Sequence, residues 1–148
     1  MYRKILVALE NGPADERLLP HIGEFARRLG AELLLLHVAD GWAARNYEQL
    51  KLTESAEMKA DLEYLTATAA GLIAQGLKVE TLLELGNPPN EIVRVAAELN
   101  CDLIALASHG HKLFGDLVHG STIDKVRHNT AVPLLVVSSG KGGTRPPV

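Results

Sequence analysis

Continuous apolar runs alternate along this chain with segments whose apolar residues recur every three or four positions. Ile5 to Leu9 is apolar throughout and bounded by Asn11-Gly12-Pro13, the pattern of a strand buried on both faces of a parallel sheet. Leu18, Ile22, Phe25, Ala26 and Leu29 then fall at helical spacing, with Gly30 placed as a C-cap. Glu32 to Val38 holds four consecutive leucines; the run is short and follows a glycine stop, so it reads as a second strand. Residues 39–53 are irregular, with Gly41 and the only tryptophan, Trp42, and read as a connection placed to act as a lid. Met58, Leu62, Leu65, Ala69, Leu72 and Ile73 predict a long helix over 54–75, ended by Gly76.

Lys78 to Leu85 is the third strand, and Gly86-Asn87-Pro88-Pro89 is a turn that starts a helix with Ile92, Val93, Ala96 and Leu99 inward. Asp102 to Ala107 is the fourth strand. Strands alternating with helices at this spacing predict an α/β fold, a doubly wound parallel sheet with helices on both faces. Its binding crevice then lies beyond the carboxyl ends of the strands, where strand order reverses. The fifth strand contains Pro133, which cannot donate to a ladder and belongs on an edge or at a strand's start. Leu134 to Val137 would leave that edge apolar, so a two-fold homodimer through Val132 to Ser138 is expected to cover it.

The length of 148 residues suits one domain, read as 1–139, with a tail at 140–148 that has no apolar period and reads as disordered. Aromatic residues are only 4%, which leaves the core to aliphatic packing. A net charge of −3 argues against a general nucleic-acid binder. The single cysteine, Cys101, precedes an apolar strand; it reads as semi-buried rather than catalytic, and a reducing compartment is the default. The N-terminal apolar run of five residues is too short for a signal-peptide core or a membrane span, so the expectation is a cytoplasmic protein with no membrane partner.

The chemistry concentrates between Leu103 and Val137. The fourth strand gives way to Ser108-His109-Gly110, and Gly120-Ser121-Thr122 opens an amphipathic segment, an order of strand, glycine loop and helix N-terminus. Gly110 and Gly120 lack a Cβ and can bring N–H groups close to an anion, for which phosphate is the natural guest. Ser121 and Thr122 can cap the helix or donate to that phosphate, where the helix dipole also favours negative charge. Neither GxxxxGK[ST] nor GxGxxG is present. His109, His111 and His119 do not form a structural zinc pattern, and His21, His37 and His128 read as ordinary helix or strand residues.

The loop resembles that of the universal stress protein family, whose ATP-binding members carry G-x2-G-x9-G-[ST] before a helix and a final V-P-hydrophobic strand. Gly110, a nine-residue spacer, Gly120, Ser121 and Val132-Pro133-Leu134 match this pattern, while Ala107 stands where the first glycine belongs. Further landmarks are Lys4 to Ala8, Gly30 to Leu33 with His37-Val38, Gly86-Asn87-Pro88 and Cys101 to Ile104, so the resemblance spans residues 3 to 138. It implies a Rossmann-like sheet in the order 3-2-1-4-5 and a regulatory module, not a metabolic enzyme, that binds ATP or AMP between strands one and four. The implied site comprises Ala8, Leu9, Glu10, Val38, Leu106, Ala107, His109, Gly110, Gly120, Ser121, Thr122 and Ile123. In it adenine lies against Val38, Glu10 takes the ribose, and the glycine loop holds the phosphates, with Mg2+ on their far side if the ligand is ATP.

Two further departures from the pattern are Glu10 in place of aspartate and Gly12 in place of a hydroxyl residue. At Ala107 a left-handed backbone would cost about 1 kcal/mol, and the methyl narrows the approach to a ligand. These changes keep open a nucleotide-free interaction module of the same family, acting on a protein partner through its dimer and helix surfaces. A slow ATPase is a third reading, for which no residue is an evident base.

Overall fold

Ile5, Leu6 and Val7, in the middle of strand β1 (Lys4–Ala8), have no exposed surface at all. Three adjacent residues of a strand point to opposite faces in turn, so such burial requires cover above and below, and the rest of the chain supplies it. The computed structural model describes residues 1–40, 47–108 and 114–138, with backbone alone at 40, 47–55 and 114–121. In chain order the elements are β1, α1 (Asp15–Leu29), β2 (Glu32–Asp40), α2 (Tyr47–Ala74), β3 (Val79–Gly86), α3 (Pro88–Glu98), β4 (Leu103–Ser108), α4 (Phe114–Asn129) and β5 (Leu134–Ser138). The five strands form one parallel sheet in the order β3-β2-β1-β4-β5. That is the expected doubly wound α/β architecture.

Register fixes which side chains share a face. Ile5 lies beside Leu33 and Leu103, and Leu6 beside Leu34 and Ile104. Ile5, Val7, Leu33, Leu35 and Ala105 pack against Leu18 and Ile22 of α1 and Leu65 and Leu72 of α2. Leu6, Leu34, Leu36, Ile104 and Leu106 pack against Ile92 and Val95 of α3 and Val126 of α4. Gly30 closes α1 in the left-handed conformation, φ 68°, donating its N–H back to the last turn.

Several boundaries differ from the sequence expectation. β2 runs on to Asp40 and α2 begins at Tyr47, so the expected connection over 39–53 is partly helical; Glu48 to Leu52 are strong helix formers. The lid expected there, with Trp42, falls on 41–46, outside the described residues. On α2 Leu62 and Ile73 face outward, 49% and 52% exposed, while Asp61, Tyr64 and Thr68 flank the buried Leu65, Ala69 and Leu72. On α3 Val95 is inside, Val93 only half-buried and Leu99, the C-cap beyond the last helical residue, exposed; the helix opens at the cap Asn87, whose side chain accepts the Asn90 N–H. Helix α4 starts at Phe114 rather than at Gly120; positions 114, 118, 122 and 126 form one row at helical spacing and carry the helix back through the glycine. The tail, 140–148, lies outside the described residues.

The two sheet edges are built differently. β3 carries Glu80, ion-paired with Lys4 at 3.1 Å, and Glu84, ion-paired with Arg94 at 3.0 Å. β5 begins just after Pro133 and is apolar up to Ser138, with Leu134, Leu135 and Val137 half-buried against the cores and Val136 43% exposed. Among the described residues no helix is long and apolar enough to cross a membrane. Cys101 is buried, and that burial pushes its thiol up to about 11, which keeps it protonated and unreactive near neutrality.

The register of α2 predicts a sharp contrast in stability. Leu65→Ala opens a cavity under the sheet and is expected to cost about 2–5 kcal/mol in a denaturant titration, whereas Leu62→Ala is expected to stay within about 0.5 kcal/mol. Alkylation of Cys101 in the folded protein at pH 8 is expected to be at least about a hundredfold slower than that of a free thiol, and to reach the free rate in denaturant.

Candidate functional site

The β1 ladder runs out at Ala8, and the turn beyond it is held by side chains. Leu9 N–H still donates to Leu36 C=O at 2.8 Å, continuing the sheet by one bond. The next two N–H groups, of Glu10 and Asn11, donate to the two carboxylate oxygens of Asp15 at 3.0 and 2.9 Å. Asp15 opens α1 and is 2% exposed, a buried charge stabilised by these bonds and by Tyr64 O–H at 2.6 Å. Burial, and then the bond to that carboxylate, hold the Tyr64 phenol above its ordinary range, so it remains a donor. Asn11 adopts a left-handed conformation, φ 59°, and its side-chain amide donates to Asp61 of α2 at 2.8 Å.

Asp61 also faces His37 of β2. Its second oxygen lies 3.3 Å from His37 Nε2, and His37 Nδ1 donates to Leu9 C=O at 2.9 Å. His37 thus belongs to a network joining β2, the loop after β1, and α2, rather than being the ordinary strand residue that the sequence suggests. Nothing in the apolar period of α2 marks Asp61 as inward, so the sequence offers no means of pairing the two.

Above this loop, at the carboxyl ends of β1 and β4, lies a cavity of about 330 Å3. Ala8, Leu9 and Glu10 line it from β1, Leu36, His37 and Val38 from β2, and Leu106 and Ala107 from β4. Pro88 and Ile92 of α3 and Thr122 and Ile123 of α4 complete it. Of the expected site residues, Ala8, Leu9, Glu10, Val38, Leu106, Ala107, Thr122 and Ile123 are therefore gathered around one cavity, beside Leu36, His37, Pro88 and Ile92, which sequence reasoning does not include. His109 and Gly110 lie outside the described residues. Gly120 and Ser121 fall inside α4, where backbone N–H groups are taken by the preceding turn, so the expected helix N-terminus at these residues is not formed.

Ala107 sits in β4, and the only left-handed non-glycine residues among those described are Asn11 and Asn100. The alanine therefore carries no backbone strain at this position, and only its methyl distinguishes it from glycine. The cavity's inner wall is aliphatic, from Leu36, Val38, Ile92, Leu106 and Ile123, while Glu10, His37 and Thr122 supply polar groups. An apolar slot with few polar groups suits a flat, partly hydrophobic ligand with a polar end, and the volume is within the range of small-molecule sites. Among the described residues no group of three or more His, Cys, Asp or Glu could hold a metal ion.

Known proteins share both the sequence pattern and this architecture. The universal stress protein MJ0577 of Methanocaldococcus jannaschii is 29% identical, over 93% of this chain and 95% of its own. The solved structure of the hypothetical protein MJ0577 gives a TM-score of 0.82 at 28% identity, covering 93% of this chain and 96% of that one. A universal stress protein solved in complex with cAMP has a TM-score of 0.68 at 19% identity, covering 93% and 98%. The universal stress protein from Archaeoglobus fulgidus solved in complex with dAMP also has 0.68, at 22% identity, covering 92% and 98%. Residues 1–138 match the universal stress protein family as a whole, and the chain belongs to that family.

Proposed function

We propose that this chain is a regulatory module that binds ATP or AMP in the cavity between β1 and β4. The observation that carries the reading is that cavity's division into an aliphatic wall and a polar mouth at the switch point of the sheet. It is supported by relatives of the same fold solved with cAMP and with dAMP. Adenine stacks against Val38 and the aliphatic wall, its edge meeting backbone groups at Ala8 or Val38. Glu10, exposed at the mouth, accepts from the ribose hydroxyls. Thr122 offers its hydroxyl to the phosphates, and Ser121 precedes it; His109 and Gly110 follow β4 directly in the chain. If the ligand is ATP, Mg2+ would enter on the far side of its phosphates.

Chromatography of the ligand released by denaturing freshly purified protein, followed by titration with ATP, AMP and cAMP, tests the reading. Adenine nucleotide is expected in the supernatant or in the titration; none released and no binding at about millimolar concentration would overturn it. Thr122→Ala is expected to weaken ATP binding by about 0.5–1.5 kcal/mol. Ala107→Gly is expected to tighten binding through space alone.

We further propose that the protein is a homodimer through Val132 to Ser138. Among the described residues β5 is the edge of the sheet, with no further strand beside it, and Val136 is exposed there. Val136→Lys is expected to give monomer in sedimentation, and wild-type protein that sediments as a monomer at tens of micromolar would dismiss the interface.

A further inference from the structure

The loop after β1 is held in place more firmly than a surface turn requires. Leu9 C=O is bonded by His37, the N–H groups of Glu10 and Asn11 by Asp15, and the Asn11 side chain by Asp61. Asn11 is at φ 59°, in the left-handed region that asparagine enters more readily than other side-chain-bearing residues, and the bond to Asp61 holds its side chain there. A segment held by side chains from several elements has its direction, and that of the side chain it carries, fixed. The residue fixed in the middle of this segment is Glu10, at the mouth of the cavity.

The bonds divide into two sets. Asp15 opens the helix that follows the loop and its bonds make the turn itself, with Tyr64 of α2 holding Asp15. Asp61 and His37 reach the loop from outside it. Asp61, 50 residues from Asn11, uses one oxygen for the loop and the other for His37, and His37 passes the connection to Leu9 C=O, 28 residues away. Both contacts of His37 are to acceptors: a carbonyl, which requires a proton on Nδ1, and a carboxylate, which a second ring proton would convert to a charge-assisted bond. Together they bracket Glu10 on both sides, at Leu9 and at Asn11.

We propose that His37 and Asp61 are positioning residues for the sugar-binding end of the cavity: they fix the path of the chain at Leu9 and Asn11 and thereby the reach of the Glu10 carboxylate. This rests on the nucleotide reading above. It makes α2, whose far end packs under the sheet, part of the ligand-binding apparatus. The two bonds of His37 are separable, since asparagine keeps a donor near Nδ1 and glutamine keeps one near Nε2.

The test is to titrate AMP and free adenine against wild type, Asp61→Ala, Asp61→Asn, His37→Ala, His37→Asn and His37→Gln, with amide exchange of β1 and β4 verifying that each variant is folded. Asp61→Ala and His37→Ala are expected to weaken AMP about tenfold, and Asp61→Ala, at a residue that does not line the cavity, is expected to leave adenine within about twofold, because the base does not use Glu10. His37→Asn is expected to recover part of the AMP loss by restoring the Leu9 bond, and Asp61→Asn, which can satisfy only one of its two partners, is expected to fall between wild type and Asp61→Ala. Wild type that binds neither ligand overturns the nucleotide reading and this inference with it. Wild type that binds AMP while the alanine variants match it, or while Asp61→Ala loses AMP and adenine equally, overturns the positioning role alone.

Discussion

Everything in this fold is arranged around a strand whose three central residues touch no water. β1 has neighbours on both edges, so its backbone groups are satisfied by β2 and β4, and its side chains meet a core on each face. A strand in that position has to be apolar without alternation, has to be short, and has to be covered by helices on both sides of the sheet. The site arises where that constraint ends. One residue past the ladder, Leu9 is still tied to β2, and the N–H groups of Glu10 and Asn11, which no strand can take, are taken by a buried carboxylate instead. The cavity is the space left where β1 and β4 send their connections to opposite faces.

Much of the architecture is legible in the sequence because it depends on period alone. Ile5 to Leu9 and the four leucines after Glu32 cannot be solvated on either face, and the alternation of such runs with helical stripes leaves few topologies to choose among. The part that is not legible depends on phase. A helix stripe read from apolar residues places Leu62 and Ile73 inside, whereas α2 turns Asp61 and Tyr64 toward the loop after β1 and leaves both apolar residues in solvent. A polar residue at the inward edge of a helix is invisible to hydrophobic periodicity, since its partner lies on another element. Asp15 illustrates the same limit: no apolar period marks it as inward, yet it is buried and organises the turn before it.

The candidate site is legible in its membership more than in its geometry. The family resemblance, which implies the strand order as well, assigns the end of β1, Val38, the end of β4 and Thr122 to one crevice, and these residues do line one cavity. The glycine motif is a weaker guide, because Gly120 reads as a helix opener only if the residues before it stay out of the helix; Phe114 and Val118 continue its spacing, and α4 begins there. Ala107 shows the converse. From sequence the departure reads as a defect of backbone as well as of space, and a β conformation removes the strain without removing the methyl.

The contrast between the two edges of the sheet has a consequence for growth. A sheet with two equally bare edges can add copies of itself one after another, each new copy offering the edge that the last one used, and the product is a filament. Here β3 presents Glu80 and Glu84 in ion pairs with Lys4 and Arg94, so a strand laid against it would have to displace or bury charge, while β5 presents Val136. The sheet is polar in the sense that matters for assembly: it has one face to offer along its edge direction, and a contact between two identical ends leaves only the charged ends outward. The Lys4–Glu80 and Arg94–Glu84 pairs thus keep charge along the β3 edge while tying that edge to β1 and α3.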